Sequence, residues 1–260
     1  MTHKRTRLII SFSFVTAIMT TGLAHGQSEG PVYLETRPGE DPFLIDVTEM
    51  AQRYPKEAVR EYQKALDEAR KGRRAAAVAT LEKAISLAPE FFSAHNSLGV
   101  LYQKMERYRD AEREYNEAHK LNLRSAAPLV NLGSLHIEES RGASDSLASR
   151  RMLNDALRSL NAALEIQPSS PFGHYLTGIV YYLTEFYEEA IPHFERALDS
   201  GAGMGFARLA LANVYIRMQE WENVLIQLDA YLEEYRFASN RPWVKETRAD
   251  AAQKLKELGP

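Results

Sequence analysis

Five histidines lie beyond residue 26: His95, His119, His136, His174 and His193. Near neutral pH a histidine can ligate a metal or move a proton. Either task needs partners at close spacing, such as H-E-x-x-H, and none of the five has them. Carboxylates are plentiful, but "EFYEEA" (185–190) and "WENV" (221–224) fall where helices are expected to begin. Negative charge there suits the helix dipole, so these read as solvated helix starts rather than acid/base pairs. "GAGMG" (201–205) has the glycines of a phosphate loop, yet it follows a helical stretch and lacks the Lys and Ser/Thr pair. No G-x-S-x-G elbow occurs, and the absence of cysteine removes thiol catalysis, thiolate metal sites and disulfides. The expectation is a protein that is not an enzyme and holds no metal or cofactor.

These residues take places in a periodic framework instead. A small residue recurs in mid-helix as Gly99 in "NSLGVLY", Gly133 in "VNLGSLH", Gly178 in "YLTGIVY" and Ala212 in "RLALANVY", at separations of 34, 45 and 34. Stepping back 34 gives Ala65. A mid-helix glycine costs about 1 kcal/mol relative to alanine, so its recurrence implies a recurring close approach of helices, with room for at most a methyl. Twelve residues on stand Ala77, Ala111, Ala190 and Val224, with Ala156 displaced by a further 11. Seven beyond those come Ala84, Ala118, Ala163, Ala197 and Tyr231. Large residues sit between the two series: Leu81, Tyr115, Leu160, Phe194 and Leu228. The displacement marks an 11-residue insertion around residues 138–150. It would lengthen the helices of its repeat or stand out as a loop.

The period, the small residues and Pro89 and Pro168 near repeat ends resemble the tetratricopeptide repeat. That resemblance implies an all-α fold: a right-handed superhelical solenoid of about five helix-turn-helix repeats. The array covers 55–238, with repeats near 58–91, 92–125, 126–170, 171–204 and 205–238, and residues 239–260 form a capping helix. In such folds partners bind the concave groove lined by first helices. The groove positions in this chain are Tyr62, Leu66, Asn96, Val100, Val130, Ile137, Phe172, Tyr175, Ile179, Tyr182, Phe206, Leu209, Asn213 and Ile216. Some family members clamp a peptide carboxylate with Lys, Asn and Arg on this surface. Here Asn213 lacks the accompanying Lys, so an apolar and aromatic groove is expected instead. The resemblance thus implies an adaptor that binds a protein or peptide. Two other readings stay open, a structural subunit of an envelope assembly and a carrier of a lipid-like small molecule.

The ends complete the reading. "MTHKRTR", an apolar run over 8–23 and "AHG" (24–26) form a signal-peptide pattern with cleavage near Gly26, which predicts a periplasmic or secreted protein. Without residues 1–26 the chain loses Lys4, Arg5 and Arg7, leaving 29 basic against 35 acidic residues, a formal charge of −6. An acidic balance without a basic block argues against nucleic acid as a partner, and no membrane span is expected in the mature chain. Residues 27–54 read as an extended segment whose apolar Val32, Tyr33, Leu34, Phe43, Leu44, Ile45 and Val47 need cover. Folding back along the groove near repeats four and five would supply it. In the capping helix, Asn240 is the expected N-cap, with Trp243, Thr247, Ala251, Leu255 and Leu258 on the buried face.

Overall fold

The computed structural model describes residues 53–199, 204–236 and 240–258. The predicted signal peptide and all but the last two residues of the extended N-terminal segment therefore lie outside the described residues. Eleven helices and no strand occur among them.

Two compact units divide between Pro168 and Ser169. The first holds three hairpins: α1 (Lys56–Arg70) with α2 (Arg74–Leu87), α3 (Phe92–Lys104) with α4 (Tyr108–Leu121), and α5 (Ala127–Arg141) with α6 (Ser146–Ile166). The second holds α7 (Pro171–Leu183) with α8 (Tyr187–Asp199), α9 (Gly205–Met218) with α10 (Trp221–Glu234), and then α11 (Arg241–Leu258) packed on α10. Within each unit the second helix of one hairpin packs on the first helix of the next, the all-α arrangement expected of tetratricopeptide repeats.

The periodic small residues lie at the hairpin cores. Ala77, Ala111, Ala156, Ala190 and Val224 are fully buried, as are Ala84, Ala118, Ala163 and Ala197. The cause of the glycines differs from the one expected. A methyl is already too large, and what excludes it is the facing helix's large side chain. A Cβ on Gly99 would stand 2.6 Å from the Tyr115 ring, on Gly133 2.5 Å from Leu160 Cγ, and on Gly178 2.7 Å from the Phe194 ring. Gly205, at the start of α9, lies under Tyr235 in the same way and donates its N–H to the tyrosine hydroxyl at 2.9 Å.

Four hairpin turns share one stop signal. Gly72, Glu106, Glu185 and Gln219 have φ between 59° and 74°. The following residue reaches back to the first helix: Arg107 N–H donates to Tyr102 O and Phe186 N–H to Tyr181 O, both at 2.9 Å. This is the left-handed helix termination that glycine normally supplies, and three of the four sites use Glu or Gln. In repeat three the position 34 after Glu106 is Ser140, which lies inside α5. The inserted residues go into helix, so α6 has 21 residues against 14 in α4 and 13 in α8. Asp145 caps α6, its carboxylate accepting from Leu147 and Ala148 N–H at 2.8 Å.

Asn240 immediately precedes α11, where the sequence placed the N-cap, and its carbonyl accepts from Val244 N–H at 3.1 Å. The Asn240 side-chain oxygen accepts from the Tyr231 hydroxyl at 2.7 Å and ties α11 to α10. Its buried face centres on Val244 and Ala251, whereas Leu258 is exposed because it falls in the last turn.

Two stability outcomes follow from these contacts. Gly178→Ala is expected to lose about 1–3 kcal/mol from overpacking against Phe194. Gln219→Gly is expected to gain about 0.5–1 kcal/mol by relieving a left-handed side-chain residue. Urea midpoints at constant slope measure both.

Candidate functional site

The first helices carry the candidate partner surface, and packing between neighbouring hairpins decides how much of it remains accessible. Of the fourteen predicted groove residues, Tyr62, Leu66, Val130, Ile137, Tyr175, Ile179, Leu209 and Asn213 are buried. The cause is lateral contact of first helices within each unit. Tyr62 Oη lies 3.2 Å from Ser97 Oγ across α1 and α3, and the Tyr175 and Phe206 rings meet edge to face at 4.5 Å across α7 and α9. Six predicted residues stay partly exposed: Asn96, Val100, Phe172, Tyr182, Phe206 and Ile216.

Those six differ in character between the units. In the first unit Val100 has polar company. Asn131 Nδ2 donates to Asn96 Oδ1 at 2.9 Å, Tyr115 Oη donates to Gln103 Oε1 at 2.8 Å, and Gln103 Nε2 donates to Glu138 Oε2 at 2.8 Å. Burial raises the Glu138 pKa despite hydrogen bonds from Gln103 and Tyr108. Amides and a carboxyl group therefore meet beside Val100.

In the second unit the accessible residues are apolar and aromatic. Phe172 and Phe206 lie 6.1 Å apart between ring centroids, with Tyr175 beneath, and Ile216 and Tyr182 lie further along α9 and α7. Tyr182 stands 5.9 Å from the Tyr187 ring, and Arg217 Nε donates to Tyr187 Oη at 3.0 Å. Sequence reasoning stopped at Ile216 and missed Arg217; a cation one position past the last groove residue was the available signal.

Of the five histidines beyond residue 26, four have side-chain partners, whereas His119 Nδ1 is buried without a hydrogen bond. His95 Nδ1 lies 2.8 Å from Glu114 Oε2 and Nε2 3.0 Å from Pro89 O, while His136 pairs with Glu139. Burial works against charge on His95, but the Glu114 carboxylate, the Pro89 carbonyl and nearby Glu117 outweigh it and raise its pKa. At the equivalent place in repeat four, His174 Nδ1 and His193 Nδ1 lie 3.1 Å apart. Burial, with His174 and Arg196 adding to it, pushes His193 down to about 4. No group of three or more His, Cys, Asp or Glu is placed for a metal ion among the described residues. Nor is any described helix long and apolar enough to cross a membrane.

This arrangement of hairpins has the all-α architecture found in the tetratricopeptide-repeat family. The family's repeat model matches residues 62–103 and 142–205. Anaphase-promoting complex subunit 3 of Schizosaccharomyces pombe is 22% identical over 153 residues, 59% of this chain and 21% of that protein. The chain therefore spans only about a fifth of that relative. A thermophilic tetratricopeptide-repeat protein from Thermus thermophilus superposes with a TM-score of 0.60 at 22% identity, covering 76% of this chain and 98% of the other. YrrB, described as having an unusual peptide-binding site, gives 0.52 at 17% identity over 78% and 98%. At these identities the likeness concerns the fold.

The two histidine pairs respond to acid in opposite directions. His193 is depressed, so the stability tied to it is whole above about pH 6.5 and is lost as the pH falls from there through about 4. His95 is raised, so its contribution is present below about pH 6.5 and is lost as the pH rises through its folded pKa. His193→Gln is expected to flatten the acid loss and His95→Gln to steepen it, as measured by urea unfolding between pH 4 and 8.

Proposed function

We propose that this protein is an exported, non-enzymatic adaptor that takes an apolar or aromatic segment of a protein partner on the first-helix face of its second unit. The carrying observation is the partly exposed set Phe172, Tyr182, Phe206 and Ile216 set around buried Tyr175. Contiguous accessible apolar side chains on a folded domain favour a binding surface, and aromatic anchors contribute most of the energy in such contacts. Arg217 at the edge supplies a polar contact for a segment that leaves the aromatic strip. The peptide-binding site named for YrrB supports the same use of a similar scaffold. The basic and apolar N-terminal pattern supports export to the periplasm or beyond.

Within this reading residues 27–52 act as a tethered competitor. Their apolar side chains match the chemistry of the strip, and a tether gives them a high effective concentration. Panning a random peptide library against the protein is expected to select sequences with an aromatic or branched apolar anchor. Phe206→Ser is expected to weaken the selected peptides at least tenfold with the helical circular dichroism unchanged, and deletion of residues 27–52 to tighten them. Selection of no peptide, or of peptides indifferent to Phe206, overturns the assignment.

A further inference from the structure

The insertion of repeat three makes a surface that the first-helix reading does not use. From Leu160, which packs on Gly133, α6 runs back 14 residues to Ser146, about 21 Å at the helical rise. From Gly133, α5 runs on only 8 residues to Arg141, about 12 Å. The first turns of α6 thus extend past the end of their partner helix. Leu147 there is 59% exposed, and Arg150 and Arg151, three and four residues on and therefore on the same face, are exposed as well. Among the described residues neither arginine joins an ion pair, and Asp155, one turn on from Arg151, is taken by Arg158.

A surface of opposite sign and similar plan lies at the start of α8. Phe186 is 56% exposed, and Glu185, Glu188 and Glu189 around it are exposed. Glu185 has only a long contact with Arg217, at 3.9 Å. One surface is an exposed leucine flanked by cations and the other an exposed phenylalanine flanked by carboxylates. An apolar centre with a charged rim of complementary sign is the plan of a specific protein contact.

We propose that the chain self-associates, with Leu147, Arg150 and Arg151 of one copy seated on Phe186, Glu185, Glu188 and Glu189 of another. The contact either forms twice, reciprocally, across a two-fold axis or repeats from copy to copy as a ring or chain. Each contact involves few residues, which places it among small interfaces, weak and dependent on salt. It uses neither Phe172 nor Phe206 and stands or falls separately from the peptide-binding reading.

Sedimentation of the full chain from 5 to 500 µM tests it. In 50 mM NaCl the weight-average mass is expected to rise with concentration, and 500 mM NaCl to weaken association at least tenfold. The double variants Arg150→Glu/Arg151→Glu and Glu188→Arg/Glu189→Arg are each expected to remain helical and lose association at least tenfold. Mixing the two variants is expected to restore assembly, because the reversed overhang of one again meets an oppositely charged patch on the other. A monomer throughout at low salt, association indifferent to either charge reversal, or losses that mixing does not repair would each overturn the proposal.

Discussion

The closest interaction in these hairpins is the seating of a large side chain on a residue that has almost none. Tyr115 on Gly99, Leu160 on Gly133 and Phe194 on Gly178 bring the second helix down to the backbone of the first. The distance so fixed explains why alanine or valine fills the neighbouring second-helix positions, where anything longer would wedge the pair open. The propensity lost at each glycine is offset by burial of an aromatic ring or a leucine with no intervening methyl. Once the pair is closed, the opposite face of the first helix is presented at a set distance from the next hairpin.

On this repeated frame the chemistry does not repeat. His95 and Glu114 are separated by the same 19 residues as His174 and His193, one turn away from the glycine contact in each case. One pair gains from a proton and the other is weakened by it. The accessible first-helix residues diverge in the same way, into amides and Glu138 in the first unit and aromatic rings in the second. A scaffold of this kind supplies positions, and the side chains placed there decide what binds.

The frame was legible because three residue series kept step through the chain, so an insertion of 11 residues showed itself as a displacement. The turns were less legible: Glu106, Glu185 and Gln219 hold a conformation usually announced by glycine, and nothing in their side chains signals it. The candidate surface was only half legible. Helical period says which side of a helix a residue faces, but the depth of Tyr62, Ile137 or Asn213 depends on how closely the adjoining hairpin approaches. The insertion left loop and helix both open, since "SRGASDSLASR" mixes turn residues with helix formers. Asp145 settles it locally by capping a helix that then runs through the remaining inserted residues.

The short reach of these hairpin contacts has a kinetic side. The side-chain hydrogen bonds between first helices of the first unit join residues only 35 positions apart, and those closing the α3–α4 hairpin span 12 to 19. Little loop entropy is spent before a contact forms, so each hairpin can condense quickly on its own neighbours. Stability in such an array is a sum of hairpin terms and nearest-neighbour terms, and loss of order begins where a neighbour is missing. Helix α11, joined to α10 by Asn240 and by the Arg248 contact with Asp229, is the piece whose departure leaves the fifth hairpin with one side bare.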